Sequence, residues 1–251
     1  MNDATAPPAV APGPVVRERG FGQHLAGLLF SPREEFASIL ARPRFWVPLA
    51  CWMALGIAFT AVWMQKVEPR EFLRNQIQLS GRADKMDPGQ LERVLDAQAR
   101  FFKPFGWVSV AVAPPLITFL IALVFLFVFR FFYAGEVRLA QSLAVVAWTF
   151  FVVALVTTPL VLVVMSLKGE WNLSPQEAVQ ANAGMFLDRQ TTARPLYSLA
   201  SSLDLFSFWT MWLLASGYGV ATRRTTAAAA AGVVGVWALY VLVKVALAAV
   251  F

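Results

Sequence analysis

The chain has 251 residues, 58% hydrophobic and only 14% charged, with a mean hydropathy of +0.60. A soluble globular chain averages about 45–50% apolar and about 25% charged residues, so both departures exclude an ordinary water-soluble domain and point to lipid as the solvent. The formal charge of +6 does not imply nucleic acid as a partner, because the basic residues sit in connecting segments beside apolar runs and form no groove-reading cluster with aromatics.

Residues 1–16 are rich in alanine and proline (Pro7, Pro8, Pro12, Pro14) and lack an apolar period, which predicts a disordered tail. No basic start leads into an apolar core, so a cleavable signal peptide is not expected, and the first span is expected to act as an uncleaved anchor. Residues 17–43 read as an amphipathic interfacial segment. Within it, Ser31-Pro32-Arg33-Glu34 has the spacing of a capping box with proline at the first helical position. Phe36, Ile39 and Leu40 then line one face, Arg33, Glu34 and Glu35 fall on the other, and Arg42-Pro43 ends the helix. Phe21, Leu25, Leu28 and Leu29 make a weaker stripe before it. Such a helix is expected in the headgroup region.

Residues 44–251 read as a five-span transmembrane domain. A hydrocarbon core of about 30 Å needs about 20 helical residues, and five runs meet this: approximately 45–64, 105–129, 139–167, 199–221 and 227–251. None holds more than one formal charge, and soluble helices rarely stay apolar on all faces for that length. Trp46, Trp63, Trp107 and Tyr133 fall near run ends, where amphipathic rings favour the interface. The connection 65–104 carries a second box, Asp87-Pro88-Gly89-Gln90, and the connection 168–198 a third, Ser174-Pro175-Gln176-Glu177. Both segments are expected to form structure on the membrane surface, whereas 130–138 and 222–226 are tight turns. The predicted fold is therefore all-α: a polytopic membrane bundle of about five transmembrane helices with short amphipathic interfacial helices.

Raw loop charge does not decide orientation, but the density of arginine in the short connections does. Arg130, Arg138, Arg223 and Arg224 flank the tight turns, which favours a cytoplasmic N-terminus and an external C-terminus in the plasma (inner) membrane.

Asp204 and Lys244 are the formal charges well inside predicted spans. Each costs about 2.5–3.5 kcal/mol on insertion scales and so needs a partner or an exit. Two arrangements satisfy them equally: an interhelical ion pair, or Lys244 snorkelling outward while Asp204 bonds locally to Ser201, Ser202 or Ser207. Pro114, Pro115 and Pro159 remove backbone donors and should kink or break their spans, with Thr157 and Thr158 placed to serve the freed carbonyls. Gly217 permits close helix contact. Cys51 and His24, each the single residue of its type, read as an inert buried thiol and an interfacial or packed ring. No zinc-protease pair, phosphate loop or Gly-x-Ser-x-Gly elbow occurs, so no catalytic residue, cofactor or metal is expected.

Three stretches together resemble the Yip1 domain as it occurs in bacterial integral membrane proteins. The first is Leu28-Leu29-Phe30-Ser31-Pro32, with Phe36 and then Pro43 before the first span. The second is Gly135, the run from Ala140 to Val146, and Pro159. The third, and most specific, is Leu203-Asp204-Leu205-Phe206-Ser207-Phe208-Trp209 with Leu213-Leu214 and Gly217. The resemblance implies a five-span helical domain with a cytoplasmic N-terminus. Eukaryotic relatives act in vesicle trafficking with Rab-type GTPases, but this chain lacks their acidic, tyrosine-containing cytoplasmic motif, so small GTPase binding does not carry over. The expected function is a non-enzymatic scaffold or adaptor organising protein or lipid partners within the bilayer, with a membrane protein or a second copy of the chain as candidate partner. The alternative is a small transporter or channel subunit that uses the kinked spans and Asp204.

Overall fold

The computed structural model describes residues 20–250 except 82, 84, 85 and 190, so the predicted tail at 1–16 lies outside the described residues. The helices are α1 (Phe21–Phe30), α2 (Pro32–Ala41), α3 (Trp46–Lys66), α4 (Pro69–Leu79), α5 (Pro88–Phe131), α6 (Leu139–Lys168), α7 (Pro175–Ala178), α8 (Arg194–Ser202), α9 (Leu205–Ala221) and α10 (Thr226–Val250), with a 3-10 turn at Ala183–Phe186. Four of them, α3, α5, α6 and α10, are long and apolar enough to cross a membrane. The fifth apolar helix, α9, has 17 residues, which is the lower limit of about 17–25 for a span. The architecture is the all-helical polytopic bundle that the apolar runs imply.

Helix α6 is the hub. It packs on α3, α5, α9 and α2, and from Ser142 to Trp148 every side chain is buried. Beyond Val153 the same helix opens outward, exposing Leu155, Val156, Leu160 and Val163. The lipid-facing sides of α5 and α10 likewise present Leu120, Phe127, Leu239 and Leu242, which water would not tolerate but hydrocarbon accepts.

The helices are staggered. Gly217 of α9 lies against Val145 near the start of α6, whereas Trp52 of α3 packs on Phe150 and the Trp63 indole donates to the Trp171 carbonyl (3.1 Å) beyond the end of α6. Thus α9 covers the first half of α6 and α3 the second. At 1.5 Å per residue α9 is about 25 Å long and α6 about 45 Å. One end of the bundle, the near end, holds the α1–α2 turn and the turns at 132–138 and 222–225. The far end holds α4, the start of α5 and the segment 169–204.

The structure corrects the sequence reading at four places. First, the expected surface helix from Pro88 and the span from Phe105 are one helix of 44 residues that runs through Pro104, Pro114 and Pro115. Each proline removes one donor, and the helix is held across Pro104 because Phe102 packs on Trp63 (5.7 Å) and Phe72 (5.2 Å). Second, the expected span 199–221 is broken at Leu203-Asp204 into α8 and α9. There the backbone pairs sideways: Ala183 N–H donates to the Leu203 carbonyl and Leu205 N–H to the Ala181 carbonyl, both at 3.1 Å.

Third, helices begin at Pro32, Pro88 and Pro175 as predicted, yet Ser31, Asp87 and Ser174 make no side-chain cap bond, so the box of Ser31 with Glu34 is not formed. The Ser31 N–H is drawn back to the Gly27 carbonyl (2.7 Å), and its ψ of 57° departs from the extended backbone a capping residue usually adopts. Fourth, Glu35 is not on a polar face but fully buried, because α2 packs against α1, α6 and α9 rather than standing alone at a surface.

Candidate functional site

At the near end, α1 and α2 form a helical hairpin whose apolar stripe, Leu28, Phe36, Ile39 and Leu40, joins the main core. The His24 Nδ1 is hydrogen-bonded to the Glu35 carboxyl, and the ring packs edge-on against Trp148 (5.4 Å). The Glu35 side chain also fills the space a Cβ on Gly27 would need. The hairpin is thus closed by one acid, one imidazole and one missing side chain. Arg33 reaches the Thr226 hydroxyl (3.4 Å), and Arg224 donates to the Tyr133 carbonyl (3.3 Å) while its guanidinium lies 5.9 Å from the Tyr133 ring. Around these contacts Arg33, Arg130, Arg138, Arg223 and Arg224 are all exposed. Phe131 and Phe132 stand out beside them at 71% and 69% exposure.

Above this surface, a buried polar knot ties three helices. The Ser142 hydroxyl donates to the Ala122 carbonyl (2.7 Å) and lies 2.6 Å from the Tyr218 hydroxyl. Having spent its proton on Ala122, Ser142 accepts from Tyr218. The Tyr218 ring stacks on Phe129 at 4.5 Å and 6°. At the adjacent position of α9, Gly217 allows the helix to touch α6: a Cβ there would meet Val145 Cγ1 at 2.6 Å.

The intramembrane charges are satisfied separately. Asp204 is the N-cap of α9, with Oδ1 accepting from the Ser207 N–H (2.9 Å) and Oδ2 from the Ser207 hydroxyl. Lys244 Nζ donates to Ser202 Oγ (2.9 Å) and Ser201 Oγ (3.3 Å) of α8. No ion pair within 4.0 Å joins the two side chains, which bond different serines. Trp209 is half-buried against the core from α9.

The far end is a layer of polar contacts. Arg70 pairs with Glu92 (2.5 Å) and Asp96 (3.2 Å), and Arg74 with Glu92 (2.8 Å), tying α4 to α5. Asn172 accepts from the Glu68 N–H (2.8 Å) and donates to Glu71 (2.6 Å), which fastens the segment after α6 to the start of α4.

Between these ends, Pro114 is buried, Pro115 half-buried and Pro159 exposed. Two adjacent cavities of about 350 Å³ and 290 Å³ share Phe59 and Thr158 as a common wall: the first reaches the far end at Pro175 and Gln176 of α7, and the second lies between α3 and α5. The Thr157 and Thr158 hydroxyls, expected to serve the carbonyl freed by Pro159, make no hydrogen bond among the described residues and face the first cavity instead.

Sequence reasoning placed Asp204, Lys244, Gly217 and the prolines in spans but missed Glu35, Ser142 and Tyr218. One signal was available for each charge: for Asp204, an acidic residue with serine three positions on, directly before an apolar run, is the pattern of an N-cap. The paired Ser201-Ser202 on the preceding turn marks a polar landing point for an ammonium. Nothing in the sequence singles out Ser142 and Tyr218, which are ordinary residues of apolar runs until the helices meet.

No curated protein matches the chain, and no solved structure does. A family model described as the Yip1 domain matches residues 26–248, from within α1 almost to the end of α10. That span takes in the docked hairpin, the knot and every apolar helix, and the chain is therefore an integral membrane protein that belongs to the Yip1 domain family.

Proposed function

We propose that the protein is a non-enzymatic membrane scaffold or adaptor in the plasma (inner) membrane, with its N-terminus in the cytoplasm and its C-terminus outside, that gathers protein or lipid partners at its near end. What supports the reading is the charge pattern at that end. Arg33, Arg130, Arg138, Arg223 and Arg224 crowd two tight turns and the α1–α2 hairpin, against Glu34 and Glu136 as exposed acids. The far end instead mixes acids among its bases, with Arg70, Arg74 and Arg189 held in ion pairs. Exposed Phe131 and Phe132 add apolar contact beside the arginines, the combination that suits anionic headgroups or an acidic partner at the cytoplasmic face.

The alternative of a transporter or channel subunit draws on the prolines and the two cavities, but neither cavity is lined by an ionised residue and Asp204 lies at a helix cap rather than in their walls. Crosslinking in native membrane followed by affinity recovery separates the two. The scaffold reading expects a specific partner that is lost when Arg223 and Arg224 are both changed to glutamate. Recovery of nothing, together with solute flux through the reconstituted protein, would establish the alternative.

A further inference from the structure

We propose that the paired cavities beside α3 and α6, the first bounded also by α7 and α9 and the second by α5, are a binding site for a neutral, hydroxyl-bearing lipid of the diacylglycerol class. The site stands apart from the scaffold reading and does not depend on it. The second cavity is lined by Trp52, Gly56, Thr60, Ser109, Val110 and Pro114 among others, and it meets the first across Phe59 and Thr158. Each volume lies near the lower end of the roughly 300–1,000 Å³ usual for small-molecule sites, and the shared wall suits a long, narrow occupant reaching through both.

In the wall of the second cavity, two hydroxyls and one carbonyl are unclaimed. Thr60 is 8% exposed, and its hydroxyl has no hydrogen-bond partner among the described residues. Thr158 is in the same condition. A threonine in a span ordinarily bonds the carbonyl one turn back, as Thr210 does to Phe206 and Thr222 to Tyr218, both at 2.7 Å in this chain. The third group is the Val110 carbonyl. Its α-helical donor would be the N–H of residue 114, which is proline. Buried polar groups left unpaired in hydrocarbon cost free energy that a ligand can recover.

These groups define the occupant. No charged side chain lines either cavity, so the occupant is uncharged. The carbonyl needs a donor and the threonines supply donors and acceptors, which a hydroxyl answers in both directions. Val112, Leu116 and Ile117 of α5 and Leu155 and Leu160 of α6 are exposed around the site, so entry is from the hydrocarbon. A phosphatidylcholine has matching chains but no hydroxyl and a headgroup that holds it at the surface. Diacylglycerol has the hydroxyl and no charged headgroup, which suits walls without a charged side chain.

The experiment uses the full-length protein in phosphatidylcholine nanodiscs with a trace of one of three diazirine-tagged probes: diacylglycerol, its O-methyl ether, or phosphatidylcholine with the same chains. Photolysis and peptide mass spectrometry report the labelled residues. The expected result is labelling by diacylglycerol within residues 52–60 and 109–117, several-fold above phosphatidylcholine. It should fall about fivefold for the O-methyl ether and for Thr60→Val, the loss expected from one hydrogen bond. Equal labelling by all three probes, or labelling indifferent to Thr60→Val, would mean only annular lipid and overturn the proposal. The ether comparison needs no variant, so it decides the matter even if Thr60→Val fails to fold.

Discussion

Removing either hydroxyl of the Ser142–Tyr218 knot breaks the same bond, yet the two removals leave different debts. In Tyr218→Phe the phenol proton disappears, Ser142 keeps its bond to the Ala122 carbonyl, and the ring keeps its stack on Phe129. Only one interhelical hydrogen bond is lost. Such bonds average about 0.6 kcal/mol in membrane proteins, with a maximum near 1.7, so the expected cost is about 0.5–1 kcal/mol. In Ser142→Ala the bond to Ala122 goes as well, and the Tyr218 hydroxyl, in a side chain with no exposure, is stranded without a partner. The penalty for an unsatisfied buried donor is about 1–3 kcal/mol, which puts Ser142→Ala at about 2 kcal/mol or more. The double variant should cost less than the sum, because Tyr218→Phe removes the donor that Ser142→Ala strands. Unfolding midpoints in mild detergent, with increasing SDS as denaturant, measure all three. If Tyr218→Phe proves as costly as Ser142→Ala, or the two costs add, the assignment of donor and acceptor is wrong.

Gly217→Val should destabilise by about 2 kcal/mol through the clash with Val145, and adding Val145→Ala should restore part of the loss in the same detergent assay. Glu35→Ala should loosen the α1–α2 hairpin, read as roughly tenfold faster proteolysis at Arg42 and Arg44, equivalent to about 1.4 kcal/mol. Unchanged cleavage would mean that the apolar stripe alone holds the hairpin. Asp204→Ala should cost about 1 kcal/mol as a lost helix cap, and its effect should add to that of Lys244→Met within about 0.5 kcal/mol because the two side chains bond different serines. A coupling above about 1 kcal/mol would restore a direct ion pair.

The sequence carried the bundle because its signal is collective. Apolar runs such as 139–167 leave a helix in lipid as their sole economical state, and no single residue can reverse that. Starts of helices were equally legible where proline stands first, at Pro32, Pro88 and Pro175. What escaped was set by contact between distant segments. Glu35 sits among charged neighbours in the chain, and its burial follows only once α2 lies on α9. Pro104 reads as a helix end until Trp63 and Phe72 are seen to grip Phe102 from outside. The break at Leu203 is intermediate: Asp204 announced a cap, but the run on both sides is apolar enough to hide it. The cavities are least legible of all, since they record where neighbouring helices fail to meet.

The stagger of the bundle has a consequence for the surrounding bilayer. Helix α6 is about 45 Å long and shows lipid the half beyond Val153, whereas the apolar wall of α9 stops after about 25 Å, where Asp204 and the serine-held ammonium of Lys244 begin. Lipids on the two flanks therefore meet walls of unequal height, and a leaflet of uniform thickness cannot satisfy both. The bilayer must pinch beside α9 and swell beside the upper part of α6, at a cost of fractions of a kcal/mol per Å of mismatch. A second molecule abutting at the short flank would share that deformation and lower it, so membrane thickness itself becomes a force that steers where this protein gathers and which side of it faces its neighbours.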